Sequence, residues 1–136
     1  MDEINPDLLA LIEAHEGCEL KPYRCPAGKL TIGIGRNIED IGITRHEAEY
    51  LLYNDLIRVV KELRTAFPWY DSLTERRKHA LIDMCFNMGI TTLKTFKRTL
   101  SAMERGDWQA AKNYALESKW ARQVKGRAIK VTGMFL

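Results

Sequence analysis

The chain has 136 residues, of which 46% are hydrophobic and 29% charged, with a formal net charge of +3. That is one domain's worth of chain, long enough to bury a core without staples, and its composition excludes disordered and fibrous classes. No stretch approaches the roughly 18 uninterrupted apolar residues of a membrane span.

The start, MDEINPDLLALIEAHEG, is acidic and lacks a basic n-region or cleavage site, so it reads as a helix of the mature protein and not as a signal peptide. Asn5-Pro6-Asp7 supplies an N-cap, a proline at the first helical position and an acid in the first turn. Leu8, Leu9, Ile12, His15 and Glu16 follow at helical spacing, and Gly17 is the expected stop. Glu16 is therefore expected at the very end of a helix with one buried face.

From Leu20 to Ile34 the pattern changes. CPAG at 25–28 holds turn chemistry and KLTIGIG alternates, which predicts a small hairpin sheet. Thr44-Arg45-His46-Glu47 forms a capping box. A long amphipathic helix follows through Ala48, Leu51, Leu52, Leu56, Val59, Val60 and Leu63, ending before Pro68.

Beyond PWYDSL the pattern is helical throughout. Leu81, Met84, Cys85 and Met88 share one face of TERRKHALIDMCFNMG, and LKTFKRTLSAMERGD, WQAAKNYALESKW and RAIKVTGMF read as three short helices. The expected architecture is α+β, with a short antiparallel sheet in a small N-terminal lobe, a long connecting helix and a mostly helical C-terminal lobe. A cleft between two unlike lobes is a common place to bind a polymer. Charge is uneven as well: residues 1–68 carry 8 Lys+Arg against 12 Asp+Glu, and residues 69–136 carry 13 against 6. A basic half suits a polyanionic partner, or is simply a solvated face.

Few residues are placed for chemistry. There is no GxGxxG, P-loop or HExxH, and Ser72, Ser101 and Ser118 lie outside any nucleophile-elbow context. His15, Cys18 and Cys25 match no zinc spacing and lack a fourth ligand. Trp108, Tyr114 and Trp120 recur at core-like helical spacing, with no nucleic-acid-binding motif around them. Three cysteines is an odd number, which points to reduced thiols judged one by one. What remains is Glu16 beside a hairpin that carries Cys25 and Thr31. A general acid needs a protonated carboxyl, and a helix C-terminus with partial burial favours that form. A solvated glutamate before a stop glycine is the plain alternative.

The stretch HEGCELKPYRCPAGKLTIGIGRN resembles the signature of the phage-type lysozymes, the muramidases of glycoside hydrolase family 24. ERRKHALIDMCFNMG and ESKWARQVKGRAIKV resemble the same family, so the anchors span nearly the whole chain. The resemblance implies a single lysozyme-like domain over 1–136, with lobes roughly 1–43 plus a linking helix 44–66, and 67–136. It implies hydrolysis of the β-1,4 bond between N-acetylmuramic acid and N-acetylglucosamine in peptidoglycan, with no cofactor or metal and no nucleic acid partner. It also implies a monomeric bacteriophage endolysin that waits in the host cytoplasm for a separate holin and then acts on the cell wall.

Carried over by position, Glu16 takes the place of the catalytic acid and Thr31 that of the threonine holding the attacking water. Cys25 falls where most members have aspartate and some have cysteine. Phe86 and Asn87 resemble the pair on the cleft floor, and Arg127 the arginine that reaches the catalytic glutamate. Arg36 stands where the family often has histidine, so no role is carried over for it, and the link IEDIGIT is short. Cys25 could serve as base, water-positioner or nucleophile. Its alternatives are a disulfide with Cys18 or plain packing. Cys18 and Cys85 read as core thiols. A lytic transglycosylase, a wall-binding protein of the same fold with an impaired site, and a membrane-active protein killing through its basic helices are the rival readings.

Overall fold

The computed structural model describes residues 3–136; Met1 and Asp2, the first residues of the acidic start, lie outside them. Helix α1 spans Pro6–Glu16, and strands β1 (Glu19–Arg24), β2 (Leu30–Gly33) and β3 (Arg36–Asn37) follow. The long helix α2 covers Arg45–Ala66, and a 3-10 turn at Tyr70–Ser72 leads to α3 at Glu75–Met88. Five short helices complete the chain: α4 (Ile90–Leu93), α5 (Lys97–Glu104), α6 (Trp108–Leu116), α7 (Lys119–Val124) and α8 (Gly126–Gly133). The fold is α+β, as the sequence predicts, and its contacts divide into two compact units, Met1–Glu49 and Tyr50–Leu136. Among the described residues no helix is long and apolar enough to cross a membrane.

The first unit is built on local signals. Asn5 Oδ1 accepts the Leu8 N–H at 3.0 Å, and the Gly17 N–H closes α1 on the Glu13 carbonyl at 2.8 Å. The sheet is antiparallel in the order β1-β2-β3, so the hairpin gains a short third strand. β1 pairs Glu19 with Gly33 and Tyr23 with Thr31, so four steps along β1 match two along β2. The surplus is a bulge that includes Pro22, a residue unable to donate to the ladder.

One expectation fails here. No residue of α1 is buried, and Leu8, Leu9 and Ile12 are exposed. The sheet of this unit has strands of six residues or fewer, and its only buried residue is Thr31, so it offers no apolar layer to cover the helix.

The second unit holds the hydrophobic core. Val59 and Leu63 of α2 join Leu81, Met84, Cys85, Leu93, Met103, Trp108, Val131 and Phe135, all nearly inaccessible to solvent. Truncating a leucine this deep, such as Leu63 or Leu81, typically costs about 2–5 kcal/mol. Arg77 ties three parts together, donating from Nε to the Phe135 carbonyl at 2.7 Å while its guanidinium lies 4.4 Å from the Trp108 ring centre. The predicted stripe of α2 is narrower than expected, because Leu51 and Leu52 are about half exposed and only Val59 and Leu63 are buried.

The last third also differs from the three helices expected. WQAAKNYALESKW divides at Ser118, whose hydroxyl caps α7 by accepting the Ala121 N–H at 3.2 Å. Leu93 belongs to α4, and α5 begins only at Lys97. α7 passes to α8 through Lys125, with φ 48° and ψ −110°, the only non-glycine at positive φ among the described residues.

Candidate active site

Glu16 is the last residue of α1 and is open to solvent. Its carboxylate lies against the backbone of Gly35, just past β2: a Cβ built there would stand 2.8 Å from Glu16 Oε2 and 3.0 Å from its Cδ. Gly35 also has φ +73°, a conformation that side chains with a Cβ rarely adopt. Two independent constraints thus require glycine where the hairpin meets the acid. The glycines of KLTIGIG are plain in the sequence, but the contact of Gly35 with Glu16 is not.

Cys25 and Thr31 meet at the turn of the same hairpin. The turn closes with the Gly28 N–H on the Cys25 carbonyl at 2.7 Å and the Cys25 N–H on the Lys29 carbonyl at 3.0 Å. The Lys29 amide is the main influence pulling the half-buried Cys25 thiol below its ordinary pKa, with smaller help from the Ala27 amide, the Thr31 hydroxyl and its own amide. Desolvation opposes them. Hydrogen bonds of this kind favour the thiolate.

Thr31 is 3% exposed, and its hydroxyl donates to the Lys29 carbonyl at 2.8 Å. Gly35 lies four steps along the chain from Thr31, so the two are at most about 14 Å apart. The hairpin therefore connects the thiol–hydroxyl pair to the glycine that bears on the acid. All three cysteines are free; Cys18 is exposed instead of packed, and Cys85 is buried.

Two of the three candidates of the second unit, Asn87 and Arg127, take separate partners. Asn87, exposed on α3, accepts the Trp120 Nε1–H at 2.8 Å. Arg127, in the first turn of α8, donates from Nε to Asp83 Oδ1 at 2.9 Å. Phe86 is 43% exposed. Phe86, Asp83 and Arg127 line one cavity of about 370 Å³ together with His79, Leu52, Leu56 and Ile82. Asp83 was missed in the sequence. Its spacing could have found it, since it precedes Phe86 by three residues and Asn87 by four and so shares their helix face.

Comparison with known proteins bears on the family of the chain. Residues 13–135 match the phage lysozyme family. The chain is 34% identical, over 93% of its own length and 86% of the relative's, to an endolysin of Acyrthosiphon pisum secondary endosymbiont phage 1. It is 30% identical to probable T4-type lysozyme 1 of Dictyostelium discoideum, over 89% of this chain and 88% of the relative. It is also 29% identical, across 99% of its length, to the pre-baseplate central spike protein Gp5 of Enterobacteria phage T4, spanning 28% of that longer protein.

The class these relatives define is the lysozyme-type peptidoglycan hydrolase. The chain belongs to the phage lysozyme family.

Proposed function

We propose that this protein is a muramidase that hydrolyses the β-1,4 bond between N-acetylmuramic acid and N-acetylglucosamine, with Glu16 as general acid and Cys25 with Thr31 as the water-activating pair. One observation carries the reading. The hairpin whose Gly35 backbone bears on the Glu16 carboxylate also brings the Cys25 thiol to the Thr31 hydroxyl.

Glu16 delivers its proton to the glycosidic oxygen as the bond from C1 to that oxygen breaks and positive charge develops on the sugar. A water held by Thr31 then adds to C1 and gives its proton to the Cys25 thiolate. Glu16 is open to solvent in the free protein, so it is the bound polymer that excludes water from it. Thr31 donates its one hydroxyl proton to the Lys29 carbonyl, which leaves its oxygen to accept from that water. Phe86, Asn87 and Arg127 bind the sugar chain. The cell wall is the place of action, and host lysis after holin-mediated release is the setting.

Mass spectrometry of purified peptidoglycan digested by the wild-type protein and by Glu16→Gln tests the reading. Reducing muramic ends are expected from the wild type and absent from the variant. Anhydro ends would make the protein a transglycosylase, and binding without new ends would make it a wall-binding protein. Cys25→Asp should keep far more activity than Cys25→Ser or Cys25→Ala. Equal rates for all four proteins would remove the thiol from the mechanism.

A further inference from the structure

Arg127 and Asp83 are 44 residues apart in sequence, yet their side chains meet at 2.9 Å, joining the first turn of α8 to the middle of α3. Their side chains are 41% and 39% exposed, and open ion pairs of this kind add little to stability. The geometry is more informative. Asp83 takes Nε, and within its own unit the two terminal nitrogens of the guanidinium have no partner. An arginine held in this way presents the remaining pair of N–H groups as a fixed fork suited to a planar acceptor. That fork belongs to the wall of the cavity lined by Phe86, His79 and three aliphatic side chains.

The approach to Arg127 points the same way. Two residues earlier, Lys125 holds the glycine-like φ of 48° with ψ −110°, and both its backbone groups are used. Its N–H reaches the Ala121 carbonyl at 2.9 Å, and its carbonyl accepts the Ala128 N–H at 2.9 Å. Strain of this kind persists only where the surroundings over-determine it, and it concentrates at functional sites. The aim of Arg127 is thus set from its backbone by Lys125 and from its side chain by Asp83.

We propose that Asp83 is a positioning residue whose carboxylate fixes the Arg127 guanidinium, at the wall of the Phe86 cavity, in the orientation that binds substrate. The proposal rests on Arg127 being a substrate-binding residue. Asp83 itself touches no substrate and acts only through the arginine. Losing it lets the long arginine side chain explore other rotamers, and binding then has to restore the order that the ion pair had supplied.

The test is a double-mutant cycle of Asp83→Asn and Arg127→Ala, with kcat and KM measured on soluble peptidoglycan fragments. Alongside it, the 15N-resolved Nε–H signal of Arg127 is followed by NMR and assigned by its loss in Arg127→Ala. Asp83→Asn is expected to raise KM about threefold to tenfold, the scale of one ordinary net hydrogen bond. It should leave kcat within about twofold, shift the Nε–H signal, and add nothing further in the Arg127→Ala background. Asp83→Glu, which restores the charge one methylene further out, should recover part of the KM.

An unchanged KM in Asp83→Asn, while Arg127→Ala binds weakly, would overturn the proposal. The same loss with or without Arg127 would assign Asp83 a purely structural part, and a wild-type KM in Arg127→Ala would remove the premise. If the wild-type protein releases no muramic ends, the muramidase reading fails. In that case an Nε–H signal insensitive to Asp83→Asn would overturn the positioning role separately, and a shifted one would uphold the contact.

Discussion

Gly35 is where a single methyl group would do the most damage. Gly35→Ala places a carbon 2.8 Å from Glu16 Oε2 and forces alanine to φ +73°. The backbone strain alone costs about 1–3 kcal/mol, and displacing the acid by a fraction of an ångström should lower kcat/KM by more than about tenfold. A melting curve and a turnover assay on that variant check both. The thiols should differ as sharply. Burial first, and the negative charge of Glu62 second, push the Cys85 thiol up to about 11, so it stays protonated and inert near neutral pH. Titration of the native protein with a thiol reagent should therefore label Cys25 and Cys18 quickly and Cys85 only after unfolding. Because Cys25 is pulled below its ordinary value, the activity it supports should rise with pH on a limb lying below that of a free thiol. In Cys25→Asp the limb should move to the carboxylate range.

The caps of the elements were legible because each rests on two or three adjacent side chains. Thr44 and Glu47 form the expected box, with Glu47 Oε1 accepting the Thr44 N–H at 2.8 Å and Thr44 Oγ1 accepting the Glu47 N–H at 3.1 Å. The sequence did not reveal that the same carboxylate also grips Arg36, at 2.6 and 2.8 Å, binding β3 to the start of α2. That contact depends on where the loop 38–43 returns. The Arg36 hydrogen bonds, more than the Thr44 amide, hold Glu47 down to about 2 from an ordinary 4.5. A carboxyl lowered on folding contributes stability fully above its unfolded value and loses it as pH falls from about 4.5 to about 2. The melting temperature of the wild type should therefore fall across that window, and the fall should be smaller in Glu47→Gln. The exposed face of α1 could not be read from its spacing, since periodicity marks which side chains align and not whether a layer exists to cover them.

Across the whole molecule, nearly all burial lies in Tyr50–Leu136, whereas Thr31 is the one buried residue described before it. Hydrogen exchange should follow that division. Amides of Leu81, Met84 and Leu93 should open only with global unfolding, and those of β1 and β2 should exchange through smaller openings. Uniform protection in both units would contradict this. The candidate acid, thiol and threonine were legible because they sit in one contiguous signature, Glu16 to Gly35. The spacing of Asp83 puts it on the helix face of Phe86 and Asn87, but its contact with Arg127 and the backbone of Lys125 emerge only when distant helices meet. Lys125 has a practical consequence for anyone who evolves this protein. A library enriched for heat resistance should drift to glycine at 125, relieving a conformation lysine tolerates poorly, while one enriched for clearing bacterial walls should keep the lysine and the aim it gives Arg127. The position where the two selections diverge would show which part of the helical half is held for work and not for durability.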